Sequence, residues 1–320
     1  MQDMTGGFMG LELPLCGNFP HAESPCCAWV GSGRAALWVL LRHLPRPRRL
    51  LVPRFMCDTV LQAPARLGIP VARYACDDQL RPLLPDDLCA EDTLLVADYF
   101  GLTGTAAGQA AACHAGVSVL DATTALFTRS ALPAFYSPRK FCGTADGGVA
   151  KAPFPLPQLP ERQDSSAGKS LFLLQRLESG AAAALPASQA AEEALNGEPR
   201  RMSPLTRRLL QAYDFAEIAR RRTENYTALH RRLRDINRLE LPDTPPSAPF
   251  CYPLASGIPG LRDALVDAGV AIPLLWPEVI EATPAHSAEN RLARTLLPLP
   301  LDQRYSPADM ERLADLILGV

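Results

Sequence analysis

Short apolar runs alternate with stretches of helical periodicity in the first half of the chain. The runs are RRLLVP (48–53), IPVARYA (69–75), TLLVADYF (93–100), VSVLDA (117–122) and GGVAK (147–151), and between them lie AALWVLLRHL, DTVLQAPARLG and GTAAGQAAACHAG. Each run has the length of a buried strand, and each intervening segment has about the length of a crossover helix. The alternation predicts a mostly parallel sheet covered by helices, which is an α/β architecture.

The pattern changes after about residue 152. A Pro-rich stretch, APFPLPQLPE, leads into an alanine-rich and arginine-rich zone (166–236), in which residues 203–236 open with Ser-Pro and keep apolar positions at helical spacing. We expect one long helix there, with room for a single break. From about residue 247 a second α/β pattern follows, with APFCYPLA, GLRDALVDAGV, IPLLWPEV, LLPLPL and SPADMERLADLILGV. We therefore predict an N-terminal segment (1–24), a large domain (25–200), and a connector helix with a small C-terminal domain (201–320).

Composition argues against several classes of partner. The chain has 320 residues, 48% of them hydrophobic, and a formal net charge of −2. It therefore lacks the general excess of positive charge that binds nucleic acid or an anionic membrane. No run is long and apolar enough to span a bilayer, and the amino terminus lacks the pattern of a signal peptide. Nine scattered cysteines without CxxC or Cys/His spacing indicate reduced thiols and no metal site. We expect a cytoplasmic protein.

Lysine is rare in this sequence, because only three of its 32 basic Lys and Arg residues are lysines: Lys140, Lys151 and Lys169. Lys140 stands between a Ser-Pro-Arg turn and the glycine-rich GTADGG. A lysine, unlike an arginine, can lose its proton and form a Schiff base with an aldehyde. Lys140 is therefore the first candidate for covalent chemistry.

Two further features precede Lys140 in the chain. The stretch GSGRAAL (31–37) opens a helical run, where free backbone N–H groups favour a phosphate, although such a stretch is more often only a turn and a helix cap. Asp121 ends the run VSVLD, where open α/β sheets place ligand-binding groups, although it could instead cap the next helix. A phosphate cup, a carboxylate and a lysine together are typical of an enzyme that uses pyridoxal phosphate (PLP), whose ring nitrogen stays protonated beside a carboxylate.

The sequence resembles the DegT/DnrJ/EryC1/StrS family of sugar aminotransferases, which are PLP-dependent enzymes of fold type I. The resemblance rests on GGFMGLEL, SGRAALWVLL, LLVADYFGLTG, VSVLDATTAL, YSPRKFCGTADGGVA and LLPLPLDQRYSPADM. It implies a large domain with a mostly parallel mixed sheet and a smaller C-terminal α/β domain. It also implies site roles: phosphate contacts at Gly33, Arg34, Ala35 and Ser137, a ring-nitrogen contact at Asp121, and attachment of PLP at Lys140.

The resemblance further implies a reaction and an assembly. The reaction would transfer an amino group from an amino acid, glutamate being the expected donor, to a keto sugar carried on a nucleotide. Members of the family form homodimers with active sites at the subunit interface, so we expect a homodimer. The N-terminal GGFMGLEL is a candidate contributor to that interface or to the pocket.

The sequence also departs from the family pattern. Thr124 stands where the family has a histidine or glutamine near the cofactor ring, Ser137 falls at a shifted spacing, and PLLWPEV with Trp276 replaces a late substrate segment. These departures leave two alternatives open: another PLP-dependent reaction, such as a dehydration on a different substrate, and a scaffold that keeps the fold without turnover.

Four other residues are weaker candidates for the site. Tyr99 and Phe100 end a predicted strand, so either could stack on cofactor or substrate, and core packing is an equal alternative. Arg139 could hold a carboxylate of the substrate, and Trp276 could line the pocket. For Arg304 a structural ion pair is the simpler interpretation.

Overall fold

The computed structural model describes residues 13–195 and 198–320. Eight strands of this part form one sheet, and their order is β1-β8-β7-β6-β5-β2-β3-β4. The strands are β1 (Cys27–Val30), β2 (Leu50–Pro53), β3 (Val71–Cys76), β4 (Pro82–Leu83), β5 (Thr93–Ala97), β6 (Val117–Ala122), β7 (Ala134–Tyr136) and β8 (Gly148–Lys151).

The central strands run parallel and the flanking strands do not. β7, β6, β5, β2 and β3 form the parallel part, and β8, β1 and β4 pair antiparallel with their neighbours. Every residue of β2 and β5 is buried, as expected for strands covered on both faces. The predicted mostly parallel mixed sheet is confirmed, whereas the sequence pattern had not indicated the short strands β1, β4 and β7.

The described residues form eleven α-helices, which connect the strands or cover the sheet. They are α1 (Gly33–His43), α2 (Gln62–Arg66), α3 (Gly104–Ala112), α4 (Leu171–Ser179), α5 (Ala181–Glu193), α6 (Pro204–Ala212), α7 (Phe215–Leu233), α8 (Leu261–Asp267), α9 (Glu278–Ala282), α10 (Ala288–Thr295) and α11 (Pro307–Leu318).

The segment predicted as one long helix, residues 203–236, is broken once, between α6 and α7. The Ser203 hydroxyl caps α6 by accepting a hydrogen bond from Thr206 N–H (3.1 Å), and the Asp214 carboxylate caps α7 by accepting from Ala216 N–H and Glu217 N–H (3.1 Å each). Because a capping carboxylate satisfies the free N–H groups of a new first turn, Asp214 favours a restart of the helix at this point.

Near the C-terminus two strands, β9 (Tyr252–Ala255) and β10 (Leu296–Leu299), pair antiparallel as a small second sheet. The apolar run IPLLWPEV forms no strand there, because Pro273 and Pro277 cannot donate to a ladder and α9 begins directly after Pro277.

Neighbouring strand residues contribute to two apolar cores, one on each face of the main sheet. Leu95 belongs to the core that also contains residues of α1, α7 and the C-terminal elements, whereas Val96 belongs to the core that contains residues of α3 and α6. The first core continues from the main sheet into β9, β10 and α11. A domain boundary near residue 200 stays a prediction.

Candidate active site

A cleft lies at the carboxyl ends of β1, β5, β6 and β7 and has an empty volume of about 1120 Å³, its open mouth included. Open α/β sheets bind ligands at this edge. Most of the residues predicted from the sequence line the cleft: Gly33, Arg34, Tyr99, Asp121, Thr124, Ser137, Arg139, Lys140 and Trp276. Its lining also includes residues that sequence reasoning missed: Ser32, Cys57, Thr123 and Glu192.

Thr123 connects the two principal candidates. The Lys140 ammonium donates a hydrogen bond to Thr123 Oγ1 (3.1 Å), and the Thr123 N–H donates to Asp121 Oδ1 (2.8 Å). The second bond is an Asx turn, in which an aspartate accepts from the backbone two residues on. This local preference of Asp-x-Thr was the available signal for Thr123. The turn holds the Asp121 carboxylate and the lysine on the same side of the cleft.

The environment shifts the pKa values of both groups towards their neutral forms. Lys140 is open to the cleft on one side, while protein surrounds it on the others, and this desolvation lowers the pKa of its amine; Asp121 opposes the shift and Arg139 adds to it. Burial raises the pKa of Asp121, and Lys140 opposes that shift. A lysine with a lowered pKa is neutral more often at neutral pH, which is the form that attacks a carbonyl carbon or accepts a proton.

Glycines allow the backbone to close around one end of the cleft. A Cβ on Gly33 would lie 3.1 Å from Thr123 Cγ2 and 3.9 Å from Ser137 Cβ. A Cβ on Gly148 would lie 2.1 Å from the Ser32 carbonyl oxygen, so a side chain there is sterically excluded. Gly147 N–H donates to the Gly31 carbonyl (2.7 Å), which ties the glycine pair to the loop before α1. These glycines leave the first turn of α1 facing the cleft.

The turn that follows Lys140 is anchored from behind by a buried carboxylate. Asp146 accepts hydrogen bonds from Ser203 N–H and Ser203 Oγ (2.7 Å each), and also from the Thr206 hydroxyl. Asp146 therefore joins the glycine-rich turn to the amino end of α6. This linkage lies outside the cleft and holds the segment that carries Lys140.

Ala35 lies in the first turn of α1. It is buried and outside the lining of the cleft, and its N–H donates to Ser32 Oγ (3.2 Å), which caps α1. The phosphate contact at Ala35 stays a prediction; in the structure the helix cap uses this N–H. Ser32, one of the residues missed, supplies the hydroxyl at that position.

Aromatic residues form one wall of the cleft. Tyr99 and Trp276 line it, with ring centroids 6.0 Å apart, and the Tyr99 hydroxyl donates to the Phe55 carbonyl (2.7 Å). Phe100 lies outside the lining: it is almost fully buried, its ring stacks on Trp276, and its N–H donates to Thr124 Oγ1 (3.1 Å). Of the two alternatives for Phe100, this position favours core packing behind the wall, and its contact with a substrate stays a prediction.

Arg34 and Arg139 approach the cleft from different segments and share one carboxylate. Their Nη2 atoms lie 2.5 Å from Glu192 Oε1 and Oε2, respectively. Arg304 instead pairs with Asp302 (2.6 Å), so its simpler interpretation is confirmed. The predicted contribution of GGFMGLEL concerns residues 6–13, of which 6–12 lie outside the described residues.

Comparison with solved structures places this fold among known enzymes. The chain is similar to the sugar aminotransferase CalS13 from Micromonospora echinospora, with 16% identity, a TM-score of 0.61, and coverage of 94% of this chain and 88% of that one. It is also similar to a DegT DnrJ EryC1 StrS aminotransferase from Brucella abortus, with 16% identity, a TM-score of 0.62, and coverage of 94% and 87%. The chain has the fold of these enzymes.

Dehydratases share the same fold. The E. coli GDP-4-keto-6-deoxy-D-mannose-3-dehydratase with bound hydrated PLP has 12% identity, a TM-score of 0.57, and coverage of 93% of this chain and 88% of that one. No family profile matches the chain, and no curated protein does. The comparisons therefore confirm the expected fold type I architecture and leave the reaction to be argued from the site.

Metal sites and membrane spans are both absent from residues 13–195 and 198–320. This part of the chain contains no group of three or more His, Cys, Asp or Glu residues placed to hold a metal ion. None of its helices has the length and apolar character needed to cross a membrane.

Proposed function

We propose that this chain is a PLP-dependent aminotransferase that moves an amino group from an amino acid, with glutamate as the donor, to a keto sugar carried on a nucleotide. One observation carries the proposal: Lys140 and Asp121 meet through Thr123 in a cleft at the carboxyl edge of a fold type I sheet. The solved structures with this fold include both sugar aminotransferases and sugar dehydratases, which supports a PLP-dependent modification of sugars.

The cleft contains the charged and polar groups that PLP would need. Its phosphate would lie near the first turn of α1, where Gly33 keeps the space open, Ser137 offers a hydroxyl and Arg34 a positive charge. Asp121 would hold the proton on the ring nitrogen, and Lys140 would carry the cofactor. Tyr99, Trp276 and Thr124 lie where they could pack beside the ring or the substrate.

When bound, PLP supplies an electron sink for the carbon that loses or gains a proton. Lys140 would then have the chemistry of a general base and acid, because its lowered pKa favours the neutral amine, which would accept a proton from the α-carbon of the donor and pass it on to the cofactor. Thr123 orients that amine through its hydroxyl. Tyr99 and Trp276 give one side of the cleft an apolar lining.

We also propose that two copies of the chain form a homodimer, as the family resemblance implies. An exposed apolar face supports this proposal. Leu171, Leu174 and Leu177 recur every three residues along α4, Leu177 being 85% exposed, and α4 buries none of its residues. A second subunit would cover apolar surface of this kind.

The first experiment tests attachment of the cofactor. The purified chain is incubated with PLP, its visible absorption is recorded, and the sample is reduced with borohydride and mapped by peptide mass. We expect a visible band and a covalent label on Lys140, both absent in Lys140→Ala. Lys151 and Lys169 are internal controls, since Lys151 ends β8 and Lys169 pairs with Asp164 (2.7 Å).

The second step separates the reactions. Addition of glutamate should discharge the band of an aminotransferase and yield 2-oxoglutarate. Loss of the band without 2-oxoglutarate would favour another PLP-dependent reaction. A band that no amino donor discharges, or a label confined to Lys151 or Lys169, would overturn the proposal and favour a scaffold without turnover.

A further inference from the structure

Arg34, Arg139 and Glu192 form a charged bridge across one side of the cleft. Arg34 lies in the first turn of α1, Arg139 in the turn after β7, and Glu192 near the end of α5. Each arginine binds a different oxygen of the one carboxylate, at 2.5 Å in both cases. The two arginine side chains are 12% and 19% exposed, and that of Glu192 is 50% exposed. The cations therefore lie deep in the cleft, while their anion reaches them from the surface.

Two guanidinium groups placed together require an anion between them. The pKa of Arg34 is lowered mainly by burial, and the charge of Arg139 lowers it further, while Glu192 opposes both effects. Guanidinium groups bind carboxylate and phosphate oxygens through charge-assisted hydrogen bonds, and a pair of them suits an oxyanion with at least two free oxygens. The Glu192 carboxylate binds the pair in this bridging manner.

The element that carries Glu192 is less firmly packed than those that carry the arginines. α5 buries only Ala184 and Ala191, whereas α1 buries six residues. Few buried apolar contacts mean a low free energy for local displacement. Glu192 can therefore leave the arginine pair more readily than either arginine can leave the cleft.

We propose that Arg34 and Arg139 form an oxyanion subsite of this cleft, with Glu192 as an internal occupant that the phosphate or carboxylate of a ligand displaces. The inference rests on the proposed function for the identity of the natural ligands, but the arginine pair does not need Lys140 to react. Glu192 then acts as a selectivity device: a ligand without an oxyanion at this position does not release it, whereas an anionic ligand does.

Glu192 therefore competes with an anionic ligand for the two arginines, and substitution of Glu192 removes this competition. Glu192→Gln keeps the size of the side chain and removes its charge, so an anion no longer displaces a charged competitor. We expect roughly 5-fold tighter binding of an added oxyanion, the size expected for loss of a partly exposed ion pair. Arg139→Gln should weaken the same binding about 10-fold or more, because one of the two cationic partners is gone.

The test is calorimetric titration of the full chain, prepared without cofactor, with inorganic pyrophosphate and separately with glutarate, at constant ionic strength. Glu193→Gln is the matched control, since Glu193 is exposed on the same helix but outside the lining of the cleft, and it should bind like the wild type. Thermal unfolding of each variant establishes that it is folded. Equal or weaker binding by Glu192→Gln than by wild type, or binding indifferent to Arg139→Gln, would overturn the subsite.

A second arm identifies the source of the oxyanion. The titrations are repeated on chain whose Lys140 carries PLP fixed by borohydride. Loss of pyrophosphate binding there assigns the subsite to the phosphate of the cofactor, and retained binding of pyrophosphate or glutarate assigns it to a group of the substrate; either result supports the subsite. If Lys140 takes no label while the effect of Glu192→Gln persists, the proposed function fails and the subsite stands.

Discussion

Residues of the cleft differ in how well the adjacent sequence predicts that they belong to the site. Lys140 is marked by a Ser-Pro-Arg turn and a glycine pair, and Asp121 by the end of an apolar strand, so local signals find both. Thr123 lies two residues after Asp121 in a turn that its sequence favours, but its link to Lys140 is visible only in the hydrogen bond that it accepts from that lysine. Glu192 is 53 residues from Arg139, in an alanine-rich helix whose own pattern carries no indication of a site. When a side chain of the site comes from a distant helix, the sequence around it gives no local signal for the site.

The lowered pKa of Lys140 predicts when it reacts. Only the neutral amine attacks the aldehyde of PLP, so a lower pKa moves the onset of labelling to lower pH. We expect Lys140 to be trapped by cyanoborohydride well below the pH at which an ordinary lysine amine reacts, with peptide mass fractions measured from about pH 6 to pH 10. A Lys140 that is labelled only in the pH range of an ordinary lysine amine would contradict the assigned environment.

The secondary-structure elements near the site depend on close backbone approach. β8 comes so near to the loop before α1 that only glycine is accommodated at position 148, and Asp146 ties the same turn to α6. The sequence pattern indicated a glycine-rich turn that lets backbone approach a ligand. The structure adds that Gly148 is required by contact with the protein's own Ser32 carbonyl.

Two glycine substitutions should therefore act in opposite directions. Gly148→Ala places its Cβ 2.1 Å from the Ser32 carbonyl oxygen, so we expect a loss of about 1–3 kcal/mol in the free energy of unfolding and weaker PLP binding. Gly108→Ala, in α3 with no atom within 4 Å of the new Cβ, should stabilise by about 0.5–1 kcal/mol. Denaturant unfolding of both variants checks this, and a Gly148→Ala variant as stable as wild type would contradict the close approach of β8 to the loop.

The molecule as a whole buries two ionisable groups whose effects on stability oppose each other. His21 is buried under β7, with Nε2 2.6 Å from the Leu126 carbonyl, and burial lowers its pKa to about 4. Asp98 is buried at the end of β5, and burial raises its pKa to about 6. The unfolded chain protonates His21 first as pH falls, so its contribution to stability is lost from about pH 6.5 down to about 4. The contribution of Asp98 is lost as pH rises from about 3.8 to about 6.

The two contributions largely cancel between about pH 4 and pH 6, and substitution should separate them. Relative to wild type, His21→Gln should lose stability as pH rises through this window, because only the contribution of Asp98 to the free energy of unfolding still changes with pH. Asp98→Asn should gain stability with rising pH, because only the contribution of His21 to the free energy of unfolding still changes with pH. Free energies of unfolding at fixed protein concentration across the window measure both slopes, and parallel pH profiles for the three proteins would refute the assignment.

The sequence by itself determined the parallel core of the sheet, the order of the glycine-serine stretch, Asp121 and Lys140 along the chain, and the helical character of residues 203–236, because each depends on residues adjacent in the chain. Because β2 and β5 are buried on both faces, each needs a continuous apolar run, and such runs can be recognised in the sequence. The tertiary structure alone decided the rest. It packs Phe100 behind Trp276 and uses the N–H of Ala35 in the cap of α1. It also brings Glu192 into contact with Arg34 and Arg139. These outcomes depend on which distant segments pack together, and packing is a property of the assembled core rather than of any stretch of sequence.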